Sequence, residues 1–201
     1  MCGYLEFNHK KATQVLNFLA NMAGGSIDKL KAIKLIYFAD RYHLRKYGRL
    51  ITNDEYYAMK LGPVASGVKD IADMSTFLGD EESEYAKKHL VITKDNLIKS
   101  VTDDNNYDKV FSKSDIESLR FAWEKFGKLA GNFLVEMTHK YPDWKKHELK
   151  LKTNSRVKMN CEDFFEDPEN GVELCHPLDP EDRKYKLEHL KELSDIDALW
   201  S

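Results

Sequence analysis

The sequence predicts an α+β, mainly helical fold: a compact bundle of about six helices around one long central helix, with a small β-hairpin on one side. Three observations predict it. From Asp28 to Tyr47 there is no Gly or Pro, and Gly48 then provides a stop. Apolar residues recur at helical spacing in further stretches on both sides of that run. Leu90-Val91-Ile92 and Leu97-Ile98 flank Lys94-Asp95-Asn96, the pattern of two short strands about a turn.

In chain order, Lys10 to Met22 is an amphipathic helix carrying Val15, Leu16, Phe18 and Leu19, ended by Gly24-Gly25. Ser26 suits the N-cap of the central helix, because its hydroxyl can take a free amide of the first turn. Leu50-Ile51 reads as a short extended piece, and Asp54 as the cap of a short helix through Tyr56, Tyr57 and Met59. Gly62-Pro63-Val64 is a sharp break, with Pro63 at the first position of a helix, where its missing amide has no partner to lose. That helix carries Val68, Ile71, Met74 and Phe77 and closes at Gly79. Glu81 to Lys88 is a charged loop before the hairpin, and Asp103-Asp104-Asn105-Asn106 is a turn. Ser114 and Glu117 have capping-box spacing at the head of a helix with Ile116, Leu119, Trp123 and Phe126. Gly127 and Gly131 lead into a helix from Leu129 to Thr138, and Pro142 starts a last short turn with Trp144. Asp179-Pro180-Glu181-Asp182 opens a helix through Leu187, Leu190 and Leu193. The character changes near Lys150, which divides the chain into a helical domain, 1–150, and an acidic C-terminal extension, 151–201, ending in a helix.

On a wheel of about 100° per residue the central helix is apolar over most of its circumference. Leu30, Ile33, Ile36, Tyr37, Leu44 and Tyr47 gather on one side, and Leu35, Ala39 and Tyr42 on a second. Such a helix has neighbours on two sides. Lys31, Lys34, Arg41 and Arg45 form a narrow basic stripe with Phe38 among them, expected as a solvated face. Asp40 falls in the main apolar side. An unpaired buried carboxylate is costly, so it needs donors: a tyrosine hydroxyl, or free amides such as those after Gly62. We read it as structural, since no second acid, His or nucleophile is spaced to make it catalytic.

Hydrophobic content of 42% and charged content of 32% in 201 residues support a sizeable core. A formal net charge of −3 makes nucleic acid an unlikely partner through bulk charge. No apolar run is long enough to span a bilayer, and Met-Cys-Gly-Tyr-Leu-Glu lacks the pattern of a signal peptide. Cys2, Cys161 and Cys175 are therefore expected as reduced thiols in a cytoplasm. Cys161 with Cys175-His176 is too sparse for a zinc site, and neither a nucleophile elbow nor a phosphate loop is present. No metal, cofactor or catalytic residue is expected; an enzymatic reading would need Asp40 and His139 to meet in space. Residues 160–182 hold nine Asp and Glu and no Lys or Arg. They read either as a solvated segment pairing with the basic stretch before it or as a surface for a basic partner. The candidate partner-binding residues are Lys31, Phe38, Arg41 and Arg45 on the helix, and Glu162, Asp163, Glu166 and Asp167 in the acidic segment.

Several motifs together resemble one family. Lys29-Leu-Lys-Ala-Ile-Lys-Leu-Ile-Tyr-Phe-Ala-Asp40 is followed by His43-Leu44, Tyr47-Gly48-Arg49, Ile51, Asp54, Tyr57-Ala58, Gly62-Pro63-Val64, Thr138-His139 and Trp144. In order and spacing, over roughly residues 10 to 148, this is similar to the Panacea domain, a prophage-associated family formerly of unknown function. The resemblance implies a non-enzymatic antitoxin of a toxin–antitoxin system that neutralises its cognate toxin by direct binding. The alternative it implies is an adaptor delivering the toxin to a cytoplasmic protease. It makes Lys34, Tyr37, Asp40, Gly48, Tyr57, Gly62, Pro63, Val64, His139 and Trp144 fold-defining, with partner choice left to other surfaces.

Overall fold

The computed structural model describes residues 6–101 and 107–200. The chain runs through α1 (His9–Met22), β1 (Ser26–Asp28), α2 (Lys29–Tyr47), β2 (Tyr56–Met59), β3 (Gly62–Ala65), α3 (Ser66–Asp73) and α4 (Asp80–His89). It continues through β4 (Leu90–Ile92), β5 (Leu97–Ser100), α5 (Lys113–Phe126), α6 (Gly131–Thr138), α7 (Pro142–Lys145), β6 (Arg156–Lys158) and α8 (Pro180–Trp200). The strands make two antiparallel sheets of three, ordered β1-β5-β4 and β3-β2-β6. The class is the α+β, mainly helical one that the sequence predicts.

The core is built on α2, which packs against α5, α6 and β3 and touches α1. Every residue from Ala32 to Arg41 is buried, so the helix is enclosed on all sides rather than on two. Phe38 stacks on Phe126 at 4.0 Å between centroids, and the Tyr37 ring meets Tyr56, Tyr141 and Phe164 edge-on. Gly48 ends the helix as expected, at φ +77°, where a side chain would be strained. The hairpin β4–β5, the Pro142 start of α7 and the Asp179 cap of α8 also form where the local signals put them.

Other elements differ, each because a distant partner decides it. Residues 26–28 are extended, not helical: Ile27 pairs with Ile98 and is buried. The N-cap of α2 is thus Asp28, whose Oδ1 accepts from the Lys31 amide at 2.9 Å, instead of Ser26. Tyr56 to Met59 is a strand with alternating burial, a setting that suits tyrosine. Asp54 caps the helix beyond the hairpin instead, accepting from the Gly67 and Val68 amides at 2.9 and 2.8 Å. Pro63 lies inside β3, an edge strand, where its missing N–H is tolerated. Met74, at φ +47°, ends α3 early, and Phe77 is left 89% exposed. The stretch expected as a charged loop, Glu81 to Lys88, is in α4, with an acidic first turn and a basic last turn that match the helix dipole. The capping box of α5 is Ser112 with Asp115, two residues before Ser114 and Glu117. Leu50 and Ile51 are buried but irregular, and α6 starts at Gly131 rather than Leu129. The turn read at Asp103–Asn106 lies outside the described residues. Cys161 is disulfide-bonded, not the reduced thiol expected, while Cys175 is free and buried.

Candidate functional site

Tyr37, Arg41 and Arg45 stand four residues apart, one above the other on α2. The Tyr37 hydroxyl donates to Asp143 Oδ2 at 2.7 Å, and Arg41 Nη1 to Asp143 Oδ1 at 2.8 Å. Arg41 Nη2 donates to the Glu166 carbonyl, and its guanidinium lies 4.6 Å above the Tyr141 ring. Arg45 uses all three nitrogens: Nε on the His176 carbonyl at 2.7 Å, Nη1 on that of Phe164 at 3.1 Å, Nη2 on Asp167 Oδ1 at 2.5 Å. The Tyr141 hydroxyl donates to the Glu173 carbonyl at 2.6 Å. Residues 161–176 are therefore fastened over the C-terminal half of α2 by donors on that helix and its neighbour. Burial pulls the Arg41 pKa down, but the facing Asp143 carboxylate outweighs it and drives the value above the usual range.

This corrects the expectation of a solvated basic stripe. Phe38, Arg41 and Arg45 are fully buried: the acidic segment covers the two arginines, and Phe38 packs on Phe126 and Tyr141. Lys31 is half-buried with its ammonium 5.6 Å over the Trp123 ring. Of the acidic candidates, Asp163 is buried and paired with Lys146, and Glu166 and Asp167 hold the two arginines. Glu162 is the exposed one without an ion pair among the described residues.

Asp40 is a structural acceptor, fully buried, taking the Ile51 amide at 2.7 Å and the Tyr56 hydroxyl at 2.8 Å. A tyrosine hydroxyl was expected there; the amides beyond Gly62 go to Asp54 instead. Burial pushes the Asp40 carboxyl up to about 6 and the Asp54 carboxyl up to about 7, against the donors that pull both down. His139 stacks on Trp144 with 3.7 Å between centroids, and no contact joins it to Asp40. His43, Ser114 and Asp115 do meet. His43 Nε2 faces both Ser114 Oγ at 3.1 Å and Asp115 Oδ1 at 3.2 Å, while Nδ1 faces the Arg49 carbonyl. A relay needs the carboxylate and the hydroxyl on opposite ring nitrogens, so this is not one. Asp115 also binds Lys11 and Arg49, at 2.7 and 2.9 Å, which ties α1, α2 and α5 together. Although burial opposes it, His43 and Lys11 hold the Asp115 carboxyl far below its usual value. Among the described residues no group of three His, Cys, Asp or Glu is placed to hold a metal.

The N-terminal half of α2 faces a different environment. Lys34 is fully buried, and its Nζ donates to the Pro63 carbonyl at 2.8 Å. Burial alone pulls its pKa down to about 7. Above it sits Gly62 at φ +93°, where a Cβ would lie 2.4 Å from Thr138 Oγ1. Trp144 Nε1 donates to the Met59 carbonyl at 2.9 Å. Lys34, Gly62, Pro63, His139 and Trp144 thus clamp the β2–β3 hairpin onto α2 and α6. Between that hairpin, the start of α2 and the loop 151–155 runs an open groove of about 1040 Å³. Leu30, Ile33, Val64 and Leu151 line its apolar part, and Leu61, at the hairpin tip, is 57% exposed. Five lysines and two aspartates also line it. Lys29 and Lys69 share Asp73, whereas Lys60 and Lys152 are exposed without an ion pair among the described residues.

Sequence reasoning missed the groove residues Lys60 and Leu61, in the β2–β3 turn, and Lys152, in a distant turn that only the fold brings beside it. It also missed Asp143 and Asp115, although both sit in the first turn of a helix, a position that favours acids.

A family model described as antitoxin SocA-like, Panacea domain, matches residues 33–145, more than half of the chain. No curated protein and no solved structure matches it.

Proposed function

Because the chain belongs to the antitoxin SocA-like, Panacea-domain family, we propose that it is a non-enzymatic antitoxin that neutralises a cognate toxin by direct protein–protein binding. The observation that carries this reading is how the matched residues use their polar groups. Tyr37, Asp40, Asp115 and Asp143 are each bonded to other parts of the same chain rather than turned toward a cavity. A scaffold of that kind suits recognition rather than chemistry. No helix of the described residues is long and apolar enough to cross a membrane.

The test is co-expression with the product of the small open reading frame next to its gene. That product alone arrests growth, and the chain restores growth and co-purifies with it in fixed stoichiometry. Absence of toxicity, or of rescue, overturns the reading. Partner half-life separates the two modes: it is unchanged under masking, and shortened if the chain acts as an adaptor to a protease.

A further inference from the structure

The groove between the β2–β3 hairpin, the first turns of α2 and the loop 151–155 is open, partly apolar and richer in cations than in acids. Asp115 is matched by Lys11 and Arg49, Asp143 by Arg41 and Asp167 by Arg45, and the buried Asp40 and Asp54 are held by neutral donors. In the groove the balance is cationic. The chain as a whole carries −3, yet this groove is lined by five lysines against two aspartates. One of the two, Asp73, is already shared by Lys29 and Lys69, and the other, Asp28, caps α2 through the Lys31 amide. Lys60 and Lys152 remain as exposed cations on opposite walls. Lys34 lies beneath, and of its three donors one reaches the Pro63 carbonyl, its one acceptor among the described residues. Between these charges Leu30, Ile33, Val64 and Leu151 form an apolar floor beside the polar residues 153–155, with Leu61 projecting at the rim.

We infer that this groove is the toxin-docking surface, and that it takes an acidic segment of the toxin carrying an apolar side chain. The inference deepens the antitoxin reading and rests on it. The apolar side chain packs against Leu30, Ile33, Leu61 and Leu151, and flanking carboxylates face Lys60 and Lys152. Opposed charge orients the encounter, and the enclosed apolar contact holds it. The hollow between α2 and α5, lined by Tyr42, Phe121, Lys113 and Arg120 among others, is the natural control. Its basic residues have acidic neighbours in the same lining, Glu117 and Glu124, so it offers no net attraction to an acid.

Three variants test it in the full chain, with the adjacent gene product as probe: Lys60→Glu with Lys152→Glu, Leu61→Asp, and the control Lys113→Glu with Arg120→Glu. The substituted side chains in all three are at the surface, and thermal melts check that each folds. The first two weaken binding at least about tenfold and lose growth rescue, while the control keeps both. Lys60→Arg with Lys152→Arg keeps both as well. Groove variants that bind and rescue like wild type overturn the docking site and leave the antitoxin reading standing. Groove variants that keep toxin binding but lose affinity for a random DNA duplex reassign the groove to nucleic acid and overturn it too. A wild-type chain that fails to rescue overturns the antitoxin reading and this inference together.

Discussion

In the C-terminal half of α2, Arg41 and Arg45 are as buried as the leucines beside them, and five of their six guanidinium nitrogens have an oxygen acceptor. In the N-terminal half, Lys34 is equally buried and has one acceptor. The difference follows from what covers each half. Residues 161–176 lie over the first and bring carbonyls and carboxylates, which a planar, rigid guanidinium can bind several at a time. The β2–β3 hairpin lies over Lys34, with α6 beside it. A compact ammonium under a hairpin keeps unused donors, and the surface next to it stays open. One helix thus carries a closed, self-saturated end and an end left available.

The largest way to break this contrast is to remove a cation from the closed end. Arg41→Met leaves Asp143 charged and buried, and the expected loss is about 3–5 kcal/mol in urea unfolding. Adding Asp143→Leu restores most of it, because the orphaned charge is gone; a single variant as stable as wild type would erase the distinction between the two ends. Asp40→Ala strands the Ile51 amide and the Tyr56 hydroxyl and costs about 1–3 kcal/mol, read the same way.

pH sharpens the comparison next. Asp40 and Asp54 have folded pKa values raised to about 6 and about 7, so their contribution is full below about pH 4 and is lost as pH rises through 7. Lys34 has its value lowered to about 7, so its contribution is present above about pH 10 and is lost as pH falls through 7. For these three groups both signs favour a stability minimum near neutrality, which His139, His147 and His176, lowered by burial, make shallower on the acid side. Melting temperatures from pH 5 to 9 check this. Asp54→Asn flattens the acid side alone and Lys34→Met the alkaline side alone.

At pH 7, Lys34→Met itself leaves stability within about 1 kcal/mol of wild type or raises it, since it removes an under-bonded buried cation of similar length. The smallest effect belongs to Asp167→Ala. Its side chain is half-exposed, and Arg45 keeps two carbonyls, so the loss stays under about 1 kcal/mol.

How much of this was legible depended on range. The resemblance carried by the run from Lys29 to Asp40 and by Gly62-Pro63 was enough to name the family that the match over 33–145 identifies. The candidate surface was not legible. The basic stripe on α2 is visible in the sequence as spacing, but spacing does not say whether water or another segment faces it. Lys60, Leu61 and Lys152 carry no motif at all.

What the sequence determined by itself was whatever is settled within a turn of helix or a single hairpin: the stop at Gly48, the start at Pro142, the cap at Asp179, the β4–β5 ribbon, and the requirement that Asp40 find donors. What only the tertiary structure decided was which partner answers each demand. Arg45 finds its acceptors in Phe164, Asp167 and His176, more than a hundred residues away, and Ile27 becomes a strand because Ile98 lies beside it. Local rules fix backbone torsions and caps over a few residues, whereas burial and pairing depend on surfaces that meet only once the chain has closed on itself.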